Sequence, residues 1–268
     1  MDQGKLPFFQ KKHYTHLLQD KSTSSPVLTK YVLEPMERAL HHYEDARQNT
    51  SKARGSEDLE RIKTLGDPLP LERVLSDQLN LHDYILKALN ISRVSYENPS
   101  NSLESAKYMF WRIPDRALQQ SLDVLWNEIT SVTHEGNTQS FEKVLTLLIE
   151  DLSSVKESDW NENYLPRHVT SLANSIVVHE KSGKTMDVGG GYKFLRWALL
   201  NSMHGAQIVP LMVLLGKQET IERLSVAKTL AASALSEREL SSDNPNEATA
   251  PGTASPLVEA ITLLVGGR

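Results

Sequence analysis

The sequence predicts an all-α protein of stacked helical units, and three observations point there. Apolar residues recur three and four positions apart along most of the 268 residues, the spacing that lines one face of a helix. Strand signals are sparse: alternating Val/Ile/Thr runs are few, and the sequence holds no Asn-Gly or Asp-Gly hairpin turn. Six prolines, Pro26, Pro70, Pro114, Pro166, Pro210 and Pro256, are separated by 44, 44, 52, 44 and 46 residues. Each precedes an apolar stripe, and proline suits the first helical position because the N–H it lacks has no helical partner there. A period of this size is what stacked helix pairs or triplets produce, since one unit cannot bury its apolar face alone. The alternative is an irregular multi-helix bundle whose helices begin at prolines.

Taken in order, the first helix runs from Val27 to Ala46, with Val27, Leu28, Tyr31 and Val32 on its stripe. Asp45 to Asp58 is short of apolar residues and reads as poorly ordered. Helices follow at Leu71 to Leu89, Asp115 to Val132, Phe141 to Val155, Arg167 to His179, Tyr192 to Met203 and Thr220 to Leu235. Ser236 to Ser255 is again rich in Ser, Asn, Pro and charge. Beyond it, Ser255 caps a stripe of Leu257, Val258, Ile261, Leu264 and Val265 that Gly266 and Gly267 stop. The expected organisation is an N-terminal helical extension over 1–25, a helical repeat domain over 26–240, a flexible linker over 241–255 and a capping or docking helix over 256–268.

Composition narrows the function. The absence of cysteine removes disulfides, thiolate metal sites and cysteine nucleophiles. A formal net charge of −5 gives no global basic field, so nucleic acid is an unlikely partner on this criterion. The longest apolar run, Ile208 to Leu215, is far short of a membrane span, and the N-terminus has no signal-peptide core. A cytoplasmic or nuclear protein without membrane contact is expected.

From His204 to Leu235 the sequence resembles an armadillo repeat. Gly205, Ala206, Pro210, Leu211, Leu214, Leu215, Ala227, Leu230 and Ala231 occupy the pattern's places, and Gly252 to Leu264 is similar to the start of another unit. The likeness is best over 197–235 and 252–266 and implies a right-handed armadillo- or HEAT-like α-solenoid. Armadillo proteins that carry nuclear-import cargo bear a Trp and, four residues later, an Asn; "WALLN" supplies Trp197 and Asn201. By that resemblance Asn201 clamps the backbone of an extended peptide while Trp197 flanks a side chain; Trp126 is expected to contact the same partner segment. Only Ser202 to His204 separates Asn201 from Gly205, too few residues for the short first helix of an armadillo unit.

Two chemical readings compete. "DVGGGYKF", with Gly189, Gly190 and Gly191, resembles the cofactor loop of class I methyltransferases, but the polar stretch before Asp187 breaks the strand such a loop must end; the glycines read instead as a turn between helices. His13 with His16, and His41 with Glu37 or Asp45, have spacings that permit metal ligation, without the repeated Glu-x-x-His pairs of a di-iron site. The expectation is therefore a non-enzymatic, cofactor-free module that binds an extended protein segment on a concave helical surface. A helical enzyme or cofactor protein and a nucleic-acid-binding solenoid are the alternatives.

Overall fold

The computed structural model describes residues 25–53, 55–69, 80–92 and 98–242. Pro70, Pro256, residues 1–24 of the expected extension, the first nine residues of the helix expected from Leu71 and the capping helix over 256–268 lie outside the described residues. The chain divides into two units, Met1–Ala231 and Ala232–Arg268; the sheet and the helices that cover it belong to the first.

Ser25 caps the first helix, its hydroxyl accepting the Leu28 N–H at 3.4 Å. Helix α1, Pro26–Leu28, passes into a π-helical turn, Thr29–Leu33, and then α2, Glu34–Gln48. Pro35 explains the wider turn. It has no N–H to give to the preceding turn, and the Glu34 N–H reaches back to the Thr29 carbonyl instead. Helix α2 buries Met36, Leu40, Tyr43 and Ala46 against α3, Ser56–Lys63, α4, Leu81–Ser92, and α5, Pro99–Ala106. The stretch expected to be poorly ordered thus includes the end of α2, a 3-10 turn at Thr50–Lys52 and the start of α3.

The next helix, α6, spans Asp115–Glu128 and buries Leu118, Leu122 and Leu125. It stops four residues before the expected Val132, because from Ile129 the backbone is extended. Strands β1, Ile129–His134, and β2, Asn137–Gln139, form a hairpin. Its turn places Glu135 and Gly136 at φ of 50° and 78°, the two positive values a tight two-residue turn requires. Helix α7, Phe141–Ser154, and helix α8, Leu165–Asn174, precede β3, Ile176–Glu180, and β4, Thr185–Met186. The antiparallel order is β2-β1-β3-β4, with Val132 opposite Val178 and Val178 opposite Met186. Ile129, Val132, Ile176 and Val178 face the core. A register shift between Ile129 and Ser131 leaves Thr130 as the extra residue of a bulge. Helix α9, Gly191–Leu200, packs with α8 on β3, and α10, Ile208–Ser242, breaks at Gly216, where φ is 78°.

The chain is therefore mostly helical, as the apolar spacing predicts, but it is not all-α, and the proline period does not mark a repeated unit. Pro114 leads into a helix and then a hairpin, Pro166 into a ten-residue helix and a strand, and Pro210 lies in the first turn of a long broken helix. The glycines correct the sequence reading too. A Cβ on Gly190 would sit 2.3 Å from the Ile176 carbonyl oxygen, and one on Gly191 2.8 Å from the Ala173 Cα. They let the start of α9 press against the junction of α8 and β3, so the triple glycine is a close approach to a sheet edge and not an open turn between helices.

Candidate nucleic-acid interface

Charge is segregated along the chain. Between Arg167 and Lys217 stand Arg167, Lys181, Lys184, Lys193, Arg196 and Lys217, against only Glu180 and Asp187; the stretch from Asp115 to Glu162 is conversely dominated by carboxylates. A net charge of −5 thus hides a cationic segment, which the fold assigns to α8, the β3–β4 hairpin, α9 and the loop after it. Lys193 is neutralised by Glu180 at 2.7 Å and by Glu128 at 3.4 Å, and this ammonium, through its hydrogen bond and charge, holds the Glu180 carboxyl below its ordinary range. Arg167, Lys181 and Lys184 are exposed and have no ion-pair partner among the described residues.

Arg196 is held by backbone carbonyls of the loop that follows its helix. Its Nη1 donates to the Met203 carbonyl at 2.8 Å and its Nη2 to the Ala206 carbonyl at 3.1 Å. Among the described residues no carboxylate pairs with it, and partial burial lowers its pKa. The guanidinium organises the loop Asn201–Gln207, in which Asn201, Ser202 and Gly205 have φ of 50°, 62° and 98°. The Gln207 N–H bonds the Ile91 carbonyl at 3.2 Å, anchoring the loop to the end of α4. The loop's own carbonyls compensate the guanidinium, and no carboxylate among the described residues neutralises its charge.

The residues selected from "WALLN" have other duties. Trp197 is fully buried, and its indole N–H donates to the Leu118 carbonyl at 3.1 Å and the Ser121 hydroxyl at 3.0 Å. It presents no face to a peptide, which corrects its assignment as a partner-binding residue. Asn201 is the left-handed cap of α9, a conformation Asn tolerates; its amide oxygen accepts from Ser121, and its amide nitrogen donates to the Tyr108 hydroxyl at 3.5 Å. The amide is thus spent inside the fold. Trp126 is half-buried and packs 4.9 Å from Phe141, which in turn meets Phe194 edge-on. Helical spacing puts Trp197 and Asn201 on one face, as predicted, but that face is turned to α6. Of the histidine candidates, His41 lies 3.9 Å from Glu37, whose other oxygen meets His82 at 3.0 Å, while Asp45 pairs with Lys52. His13 and His16 lie outside the described residues. Sequence reasoning passed over Arg196, although it stands beside Trp197; the signal was the run of cations around it.

A second charged cluster lies apart from this segment in the chain. Arg223 is buried, donating to Glu219 at 2.9 Å and to the carbonyls of Tyr108 and Leu199 at 2.7 and 3.0 Å; burial lowers its pKa, and the Glu219 carboxylate opposes that shift. Arg112 forks onto Glu219 at 2.6 and 3.2 Å and also pairs with Glu222, contacts that raise its pKa. Together they fasten the segment before α6 to α10 and border a cleft of about 420 Å³.

The fold is mostly helical with a small antiparallel sheet, and its cations are concentrated in the segment from Arg167 to Lys217. The family model for an anticodon binding domain matches residues 71–228, more than half of the chain. The chain belongs to that family of anticodon binding domains. No curated protein and no solved structure matches it. Family membership overturns the armadillo resemblance, the protein-scaffold function drawn from it, and the exclusion of nucleic acid drawn from net charge. Those inferences failed for an identifiable reason: Gly-Ala, Pro-Leu and Leu-Leu also serve a loop and helix that are not a repeat. Among the described residues no helix is long and apolar enough to cross a membrane.

Proposed function

We propose that the chain binds transfer RNA at its anticodon region, using the cation-rich segment from Arg167 to Lys217. The family match over 71–228 carries the proposal, and the local charge supports it, since phosphate neutralisation by Lys and Arg dominates RNA affinity. In this reading Lys181 and Lys184, on the β3–β4 turn, and Arg167, on α8, meet phosphates. Arg196 and the loop Asn201–Gln207 meet unpaired bases, which single-stranded loops present for stacking and hydrogen bonding. The module positions RNA and performs no bond chemistry of its own.

The test is the affinity of the full chain for an anticodon stem-loop. Arg196→Ala is expected to cost about 1–3 kcal/mol of binding, as for an arginine that reads a base. Lys181→Ala with Lys184→Ala is expected to weaken binding to every RNA and to flatten its salt dependence. Unchanged affinity and salt slope in both variants would remove the interface from this face.

A further inference from the structure

We infer that the cleft between α2 and the start of α6 takes a guanine base. At about 420 Å³ it lies near the lower end of the size range of small-molecule sites, room for one nucleotide. Its wall is composite. Arg47 and Asp67 precede the family match, whereas Arg112, Asp115 and Val226 lie within it, so part of the wall comes from residues that the family model does not cover.

The lining balances charge and so disfavours a bare anion or cation, while offering groups of both polarities to one neutral polar ring. Arg112 engages Glu219 and Glu222 through Nε and Nη2, and its Nη1 has no partner among the described residues. Asp115, three residues on, is exposed and likewise has none there. Val226 is 42% exposed and supplies an apolar surface for a ring face. Guanine matches this set best among the bases. Its O6 accepts from the Nη1 of Arg112, and its N1–H and N2 amino group together suit one carboxylate; adenine and cytosine each offer a carboxylate a single amino group. The base can come from a free nucleotide or from an unstacked nucleotide of a bound RNA, and the second source rests on the tRNA-binding reading above.

The experiment has two arms on the full chain. In the first, GMP, AMP, CMP and UMP are titrated by calorimetry; GMP is expected to bind about tenfold tighter than the others, and Asp115→Asn to erase that preference while the melting temperature stays near that of the parent. In the second, an anticodon stem-loop is compared with one whose loop guanosines are replaced by inosine, which lacks the N2 amino group. A loss in affinity that disappears in Asp115→Asn identifies the RNA as the source of the base, and preference in the first arm alone identifies a free nucleotide. Equal or absent binding of the four nucleotides, together with indifference to inosine or its persistence in Asp115→Asn, overturns the inference. If the unmodified stem-loop is not bound at all, the tRNA reading fails and the GMP arm by itself decides the cleft.

Discussion

Arg196 and Trp197 are neighbours with opposite fates. One is a cation held by carbonyls beside a loop; the other is a fully buried ring that joins α9 to α6. Removing each should therefore fail differently. Trp197→Ala is expected to cost about 3–5 kcal/mol of folding free energy, the usual loss for a large buried aromatic side chain, read as a shifted denaturant midpoint. Arg196→Ala, which loses two hydrogen bonds to loop carbonyls, should move that midpoint less, by roughly 1–3 kcal/mol, and lower RNA affinity. Glu44 offers a third residue-scale test. Burial alone would raise its pKa, but hydrogen bonds from Arg47 and the Trp111 indole outweigh it and hold the carboxyl below its ordinary range. A depressed carboxyl stabilises the fold above its unfolded pKa, and that contribution is lost as pH falls through the folded value. Urea denaturation on both sides of the carboxylate range should show Glu44→Gln less stable than the parent at neutral pH and the two converging in acid. A constant gap at all pH values would place the effect outside Glu44 ionisation.

The junction of α8, β3 and α9 is where an element-scale change has most leverage, because backbone approaches backbone there. Gly190→Ala is expected to destabilise by at least roughly 1–3 kcal/mol, the cost of overpacking a site that has to shift, since the new methyl meets a carbonyl oxygen and not a flexible side chain. Hydrogen exchange should show the loss concentrated in β3, β4 and the first turn of α9; uniform loss across the chain would deny the junction its local role. This junction also shows what was legible in the sequence. Helices α2, α6, α7 and α9 follow from their apolar spacing, with Pro26 and Pro114 announcing the first two, and the helix expected over Phe141 to Val155 ends within a residue of that bound. The strands were missed because β1, "ITSVTH", continues the apolar spacing of α6, and because its hairpin turns on Glu-Gly, a pair in which Glu must accept a positive φ. The polar run after His179, taken as evidence against a strand, is the β3–β4 turn itself. The cationic loop was readable in part: Arg167 to Lys217 announces its charge, but the carbonyl grip on Arg196 depends on Met203 and Ala206 folding back over α9, which no spacing encodes.

For the whole molecule, an overall negative charge and an RNA partner are compatible because charge acts locally at physiological ionic strength, where screening confines it to about 8 Å. An acid-rich stretch and a base-rich stretch can then coexist in one domain, and the proposed RNA contact uses the second. The most direct measurement of the central claim is the affinity of the full chain for a labelled anticodon stem-loop and for a blunt duplex of the same stem, across a salt series. The account predicts that the stem-loop binds more tightly, that both affinities fall as salt rises, and that Arg196→Ala removes the preference for the loop. Equal affinity for the two RNAs, or binding to neither, would contradict it.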